Sequence, residues 1–361
     1  MGVLWRVALG ALVTLAMGAC SLVLDQDAAQ CASTLDCTGK GGTFAQSICG
    51  ADRVCVPLTS EDCTRVVGTV TDDAVLIGVM AALSSSEATT GQARVQSIEL
   101  AYRELEATSL GIPRGDGRKP RPLVLIECDQ DRDRDRAARH LIETLRVPAL
   151  IGPAHTGDTI EVATNVSIPA GTLMINPSAA ATSIASLDDR GLVWRTSSSD
   201  RTEAYALSLH MPDLEASVRA AQKLAPADRI RVAVLAKTDA YGQGLTDATI
   251  SLLKFNGASV PQNKDHFLSR QIPDDSVDPD FDPTAVVADV VAFRPSVVLL
   301  FGTTEMITKG MARIEATWPA TVPRPRYVLT EGAKKGDLLT LLGPGSDAPT
   351  KELRQRVIGL E

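Results

Sequence analysis

From Ala74 onward the sequence alternates short β-branched runs with longer amphipathic stretches, and this alternation constrains the fold more than any other feature. "AVLIGVMAAL" (74–83) predicts a buried strand running into a Ser-rich loop, Ser84 to Ser86. "QARVQSIELAYRELEAT" (92–108) reads as a helix with Val95, Ile98, Leu100, Ala101, Tyr102 and Leu105 supplying its apolar face. Strands are expected at 122–128, 148–153, 172–176 and 192–196, with helices at 135–146 and 157–167 between them. The cycle restarts with helix 201–223, strand 231–237, helix 243–256, a loop, helix 284–293, strand 296–302, helix 305–317 and strand 326–332. Such spacing means right-handed βαβ units and parallel sheets. The expected fold class is therefore α/β, with two doubly wound parallel-sheet lobes joined near residue 198. Lobe 1 is expected over 74–198 and lobe 2 over 199–355. The acidic, Pro-rich stretch "DDSVDPDFDP" (274–283) reads as an exposed loop.

The front of the chain follows different rules. One positive charge, Arg6, precedes an uncharged run from Val7 to Ala19, which small residues close. A spanning helix needs about 20 apolar residues, so this layout predicts a secretory signal peptide over 1–19. Met17-Gly18-Ala19-Cys20 resembles the bacterial lipobox, which implies lipidation of Cys20 and a tether over 20–30. The expected location is the bacterial envelope, exported and lipid-anchored. Ser21 is not the aspartate associated with inner-membrane retention, so an outer-membrane address is open.

Segment 31–66 is cysteine-rich. Cys31, Cys37, Cys49 and Cys55 are spaced C-x5-C-x11-C-x5-C, without the tight C-x2-C pairs of a zinc site. In an oxidising compartment disulfides are the expectation. Two bridges are expected among these four, with the alternating order preferred among three pairings, and Cys63 with Cys128 is a candidate long-range pair. Few large apolar residues occur in 31–58, so bridges must supply what a core does not.

The net charge of −8 argues against a nucleic-acid partner. Aromatic residues make up only 4 %, so any cleft must rely on backbone amides, hydroxyls and few rings. There is no G-x-S-x-G elbow, H-E-x-x-H or Walker loop, and the four histidines (140, 155, 210, 266) have no evident catalytic partners in sequence. No enzyme, cofactor or metal is expected. "DQDRDRDR" (129–136) lacks the central glycine and terminal glutamate of a calcium loop and reads as a solvated helix face.

Ligands of open α/β sheets bind beyond the carboxyl ends of the strands. Those positions are Ser84–Ser86 (with Ser85 central), Ala154–Asp158, Pro177–Thr182, Ser197–Asp200, Thr238–Gly242, Thr303–Glu305 and Glu331–Lys335. The phrases around them, "LIGP" (150–153) with its polar turn, "LMINPSAAAT" (173–182), "VWRTSSSD" (193–200), "VAVLAKTDAYGQGL" (232–245) and "TEG" (330–332), come in a telling order. In that order the chain resembles the type I periplasmic binding proteins of branched-chain amino-acid ABC transporters. The resemblance runs from about Ala74 to the end.

The resemblance implies that Thr156 and Gly157 meet a ligand carboxylate at a helix start, and that Glu331 meets its ammonium. It further implies that Tyr241 lines the cleft and that Asp200 orients polar groups or caps helix 201–223 at the interlobe crossing. Ala180 stands where the family has a threonine, the nearest threonine being Thr182 unless the loop realigns by two residues, which leaves Ser178 and Ala179 to offer backbone groups there. Thr303 and Thr304 replace a second cleft tyrosine, which implies a ligand smaller or more polar than leucine. The implied function is binding of a small zwitterionic solute for ABC transport, with a permease as partner. A ligand-sensing or envelope-interaction role on the same fold is the alternative. Family members run on past the "EG" position, whereas this chain ends at Glu361, so the expectation is a truncated, poorly soluble form in which 356–361 starts a return crossing to lobe 1.

Overall fold

The computed structural model describes residues 29–275, 277–343 and 348–360. The expected signal peptide, Cys20 and most of the tether lie outside the described residues. Among the described residues no helix is long and apolar enough to cross a membrane.

The cysteine-rich segment folds around α1 (Thr34–Thr38) and a two-stranded antiparallel ribbon of β1 (Ser47–Cys49) and β2 (Cys55–Pro57). Cys31 pairs with Cys49 and Cys37 with Cys55, the alternating order, and Cys63 pairs with Cys128. The core of the segment is little more than sulfur and Phe44. Each bridge restricts the unfolded chain, which is where such a small segment finds its stability.

The first sheet comprises β3 (Cys63–Val67), β4 (Val75–Ala81), β5 (Leu123–Asp129), β6 (Ala149–Ile151), β7 (Leu173–Asn176) and β8 (Val193–Arg195). Its order is β3-β5-β4-β6-β7-β8, with β3 antiparallel and the rest parallel. The last residues of the cysteine-rich segment thus form an edge strand of this sheet, fastened to β5 by the Cys63–Cys128 bridge. Helices α2 (Ala88–Ser109), α3 (Gln130–Arg139), α4 (Thr156–Val162) and α5 (Ile168–Ala170) connect the strands. Two cores result, one on each face. Met80, Ile126, Leu141 and Leu150 sit on one, and Val79, Val95 and Leu125 on the other.

The chain leaves β8 through Ser197–Ser199 into α6 (Asp200–Gln222), whose Ala204, Leu207, Met211, Leu214 and Val218 pack into the core of a second sheet. Between the first and second strands of that sheet the chain forms α7 (Ala240–Leu252) and a small hairpin of β10 (Lys254–Phe255) and β11 (Ala258–Ser259). Its strands are β9 (Val232–Lys237), β12 (Phe267–Ile272), β13 (Val297–Phe301), β14 (Arg326–Leu329) and β15 (Val357–Gly359), in the all-parallel order β12-β9-β13-β14-β15. Helices α8 (Thr284–Phe293), α9 (Ala312–Thr317), α10 (Gly336–Leu342) and α11 (Ala348–Arg354) complete it.

Three expectations are corrected. The helix expected to reach 256 stops at Leu252, because Asn256 and Gly257 take positive φ of 52° and 75° and turn the hairpin. Asn-Gly is the strongest short hairpin signal, and it overrides the helical pattern. Phe267–Ile272, read as loop, is edge strand β12; only one of its residues is fully buried, so its apolar signal is weak. Val357–Gly359 does not start a return crossing but adds to the second sheet, where Tyr327, Val328 and Leu329 of β14 pair with it.

In both sheets the first parallel strand (β4, β9) lies between the second and third parallel strands, so the chain reverses direction across the sheet at that strand. Parallel sheets of this kind leave a crevice at the carboxyl ends of the strands flanking the switch. Here the two crevices face each other.

Candidate functional site

A cavity of about 320 Å³ lies between the two sheets. The first sheet contributes Ala154 to Thr156 after β6, Pro177 to Ala179 after β7, Ser197 and Ser198 after β8, and Glu87, Thr90 and Arg94 from the start of α2. The second contributes Lys237, Asp239 and Tyr241 after β9, Thr303 after β13, and Glu331, Gly332, Lys334 and Lys335 after β14. A larger, acidic depression of about 840 Å³ adjoins it, sharing His155 and Asp239.

On the first sheet the chain passes β6 through Gly152, whose φ is 101°. A Cβ there would stand 2.1 Å from the Met80 carbonyl oxygen, so only glycine lets the turn press against β4. Thr156 opens α4 and is 4 % exposed. The Thr159 N–H makes a helical bond to the His155 carbonyl at 2.9 Å, so the N–H groups before it have no helical acceptor. They and the Thr156 hydroxyl can serve an anion. The Ala154 N–H cannot, because the buried Gln130 side chain accepts it at 2.9 Å.

The turns after β6 and β7 are held together by one residue. Asn176 is fully buried; its Nδ2 donates to Thr159 Oγ1 at 2.5 Å and to the Pro153 carbonyl. Its Oδ1 accepts the N–H groups of Ser178, at 2.7 Å, and Ala179. Replacing it removes four hydrogen bonds and leaves the buried Ala179 N–H without its acceptor. Asn176→Ala is expected to cost about 2 kcal/mol of stability and to weaken solute binding with it. Denaturant titration beside a binding isotherm checks this, and an unchanged midpoint would contradict it.

On the second sheet Tyr241 stands upright in α7, its hydroxyl donating to Thr330 Oγ1 at 2.9 Å and lying 3.4 Å from both Glu331 carboxylate oxygens. Burial raises its pKa well above 10. Gly332 is required next to it, since a Cβ would fall 2.7 Å from the Gly302 carbonyl oxygen and 3.2 Å from the Tyr241 hydroxyl. Glu331 opens to solvent in the cleft, and its N–H donates to Glu203 Oε1 at 3.4 Å. Burial and then the charge of Glu331 push Glu203 up to about 9. The same two causes push Asp200 up to about 7. Among the described residues no lysine or arginine pairs with Asp200, Glu203 or Glu331. Lys237 faces the same space but is held charged by Asp239 at 3.4 Å and by Asp274, with Glu305 near.

Thr156, Ser178, Tyr241, Thr303 and Glu331 therefore come together around one cavity. The other sequence candidates do not. Ser85 and Gly157 line the adjoining depression. The Ser85 N–H is held at 2.8 Å by Asp131 and its hydroxyl accepts from Glu87. Ala180 is buried, and its carbonyl accepts from Asp200 N–H and Arg195. Asp200 lies beneath the cleft; Ser199, not Asp200, is the helix N-cap, and both Asp200 carboxylate oxygens are buried with no hydrogen-bond partner among the described residues. Thr304 turns to Asp337 at 3.2 Å. Besides Tyr241, whose hydroxyl donates to Thr330, two of the assembled residues already have commitments. Ser178 donates its hydroxyl to the Ala154 carbonyl at 2.6 Å, and Thr303 donates to Glu305 at 2.7 Å.

Sequence reasoning missed Arg94, Gln130, Asn176, Glu203 and Lys237. Asn176 sits inside the "LMINPSAAAT" phrase, and Glu203 follows Asp200 by one helical turn. Both were legible in principle. The "DQDRDRDR" run is mostly exposed from Asp131 to Arg136, as expected of a solvated face, but its charges also tie loops together. Asp131 holds the Ser84 and Ser85 N–H groups, Arg134 pairs with Asp158 at 2.7 Å, and Arg136 grips buried Asp62 at 2.6 and 2.8 Å.

The comparisons with known proteins agree with this architecture. A family model described as periplasmic binding protein matches residues 74–317. No curated protein matches the sequence. Among solved structures, a leucine-binding protein from Thermotoga maritima is 18 % identical over 74 % of this chain and 66 % of its own, with a TM-score of 0.56. A branched-chain amino-acid transporter substrate-binding protein from Streptococcus pneumoniae, solved with isoleucine, is 18 % identical over 74 % of this chain and 67 % of its own, with a TM-score of 0.54. A solute-binding protein of an ABC transporter from R. palustris, solved with benzoate, is 16 % identical over 78 % and 73 %, with a TM-score of 0.54. This chain spans just under two thirds of the length of the Thermotoga protein, 66 %. The family model covers well over half of the 361 residues, and both parallel sheets and their facing crevices are present, so the chain belongs to the periplasmic binding protein family, in its type I fold.

Proposed function

We propose that the protein is an extracytoplasmic solute-binding lipoprotein, anchored through Cys20, that grips a small zwitterion such as an amino acid and delivers it to an ABC permease. The observation that carries this reading is that Thr156 and Glu331, from opposite sheets, line one cavity of amino-acid size. The solute carboxylate accepts from the Thr156 hydroxyl and the free N–H groups at the start of α4. The ammonium meets Glu331 and the Tyr241 hydroxyl, above the acids at 200 and 203. Lobe 1 (74–198) and lobe 2 (199–355) close on it by hinge motion. Closure removes water, which strengthens each charged contact. It also gives the permease a shape distinct from the open form. The proposed role is carriage, not catalysis: the cavity groups hold and orient.

Calorimetry of the full chain against a panel of amino acids tests the reading. At least one member is expected to bind with one-to-one stoichiometry and to raise the melting temperature. Silence from every member in both measurements would contradict it.

A further inference from the structure

A solute held at Thr156 and Glu331 leaves one charge of the cavity unmatched. α2 opens with Glu87, Thr90 and Arg94 facing the cavity at helical spacing. Lys335 reaches across from the opposite lobe, and its Nζ donates to the Glu87 carboxylate and, at 3.1 Å, to Thr90 Oγ1. That clasp commits Glu87. Arg94, one turn deeper along α2, has no equivalent acceptor, for its Nη1 is buried with no hydrogen-bond partner among the described residues. The opposite charge acting on it is that same Glu87. A guanidinium stays charged at any ordinary pH, and a buried charged N–H without an acceptor is unfavourable. Its planar fork fits a carboxylate.

The rest of the lining points the same way. No leucine, isoleucine, valine, methionine, phenylalanine or tryptophan lines the cavity, and Tyr241 is its sole aromatic residue among those described. An aliphatic side chain would find little apolar surface to cover there. Hydroxyls and charges would instead meet a polar arm.

We propose that Arg94 receives a second carboxylate on the solute, so that the cavity selects an acidic amino acid over a neutral one. The inference rests on the amino-acid reading of the cavity. Lys335 closes the lobes beside this arm through Glu87, and Arg94 sets which arm is accepted.

The test is calorimetry of the full chain with L-glutamate, L-aspartate, L-glutamine and L-leucine, using the natural protein, Arg94→Gln, Arg94→Lys and Glu331→Gln. An acidic member is expected to bind about tenfold or more tighter than both neutral ones. Arg94→Gln is expected to remove that preference by weakening the acidic solute alone, and Arg94→Lys to keep part of it. Melting curves identify any variant that fails to fold, and the preference of the natural protein decides the matter in that case. Equal affinity for acidic and neutral members overturns the inference, as does an equal loss for both in Arg94→Gln. If a neutral amino acid binds best and Glu331→Gln abolishes it, the role of Arg94 falls while the amino-acid reading stands. If nothing in the wider panel binds, both fall.

Discussion

Glu331→Gln is expected to weaken solute binding by about a hundredfold while leaving the fold intact. The carboxylate stands 3.4 Å from the Tyr241 hydroxyl and opens into the cleft, so the free protein solvates it. Once a bound ammonium and lobe closure exclude that water, its charge is what compensates the buried cation. Glutamine keeps the shape and the backbone N–H bond to Glu203 but supplies only a dipole. Glu203 lies behind Glu331 and does not line the cavity, so it does not take its place. Calorimetry near neutral pH, with a melting curve to confirm the fold, measures the effect. An affinity equal to that of the natural protein would mean that the ammonium does not sit at Glu331.

The protein without solute is expected to lose stability as pH rises through neutrality, opposite in sign to an ordinary salt-bridged carboxylate. Asp200 titrates near 7 when folded, against 3.8 for an unperturbed carboxyl. Between those values the folded state holds a proton that the unfolded state has released. Stability therefore falls with rising pH across this window and levels off above it. At about 1.36 kcal/mol for each unit of pKa, the loss from this group is ~4 kcal/mol. Glu203 adds a loss of the same sign that continues to about pH 9. Asp200→Asn, with no proton to lose, is expected to remove the Asp200 share, making the variant the more stable protein on the alkaline side. Urea unfolding at acid and at alkaline pH measures it. A natural protein more stable at pH 8 than at pH 5, or a variant with an unchanged pH profile, would contradict the burial of an unpaired Asp200 carboxylate. A bound ammonium lowers both pKa values, so solute binding should expel protons.

Much of this was readable before the structure. The alternation of strand and helix fixed the class because a parallel pair needs a crossover helix, and that spacing is visible in any βαβ chain. Buried strands such as Val232–Lys237 and Val297–Phe301 announce themselves as continuous apolar runs. Edge strands do not. β12 is half-covered, and β15 looked like a crossing because a short strand carries no sign of which sheet it will join. That the cysteines form disulfides followed from composition and compartment; which of the three pairings forms is seen only in the fold. At the site, the segments that hold Thr156, Tyr241 and Glu331 were legible because strand ends in such sheets converge, and the family resemblance singled out the residues within them. Asn176 was passed over because its work, tying two turns through four bonds, appears only when those turns are adjacent. Asp200 was given a cap's role because an acid at a helix start usually has one; burial by the facing helix makes it a proton-holding group instead. Arg94 could not be found by motif, since what distinguishes it is the acceptor it lacks.

The central claim is that two lobes hold a small zwitterion between a donor-rich turn and a carboxylate. A crystal structure of the full chain grown with the tightest member of the amino-acid panel tests it most directly. The predicted result is one molecule in the cavity, its carboxylate within hydrogen-bond distance of Thr156 and its ammonium within ion-pair distance of Glu331. A solute bound outside this cavity, or inside it with Glu331 turned to solvent and unpaired, would contradict the account.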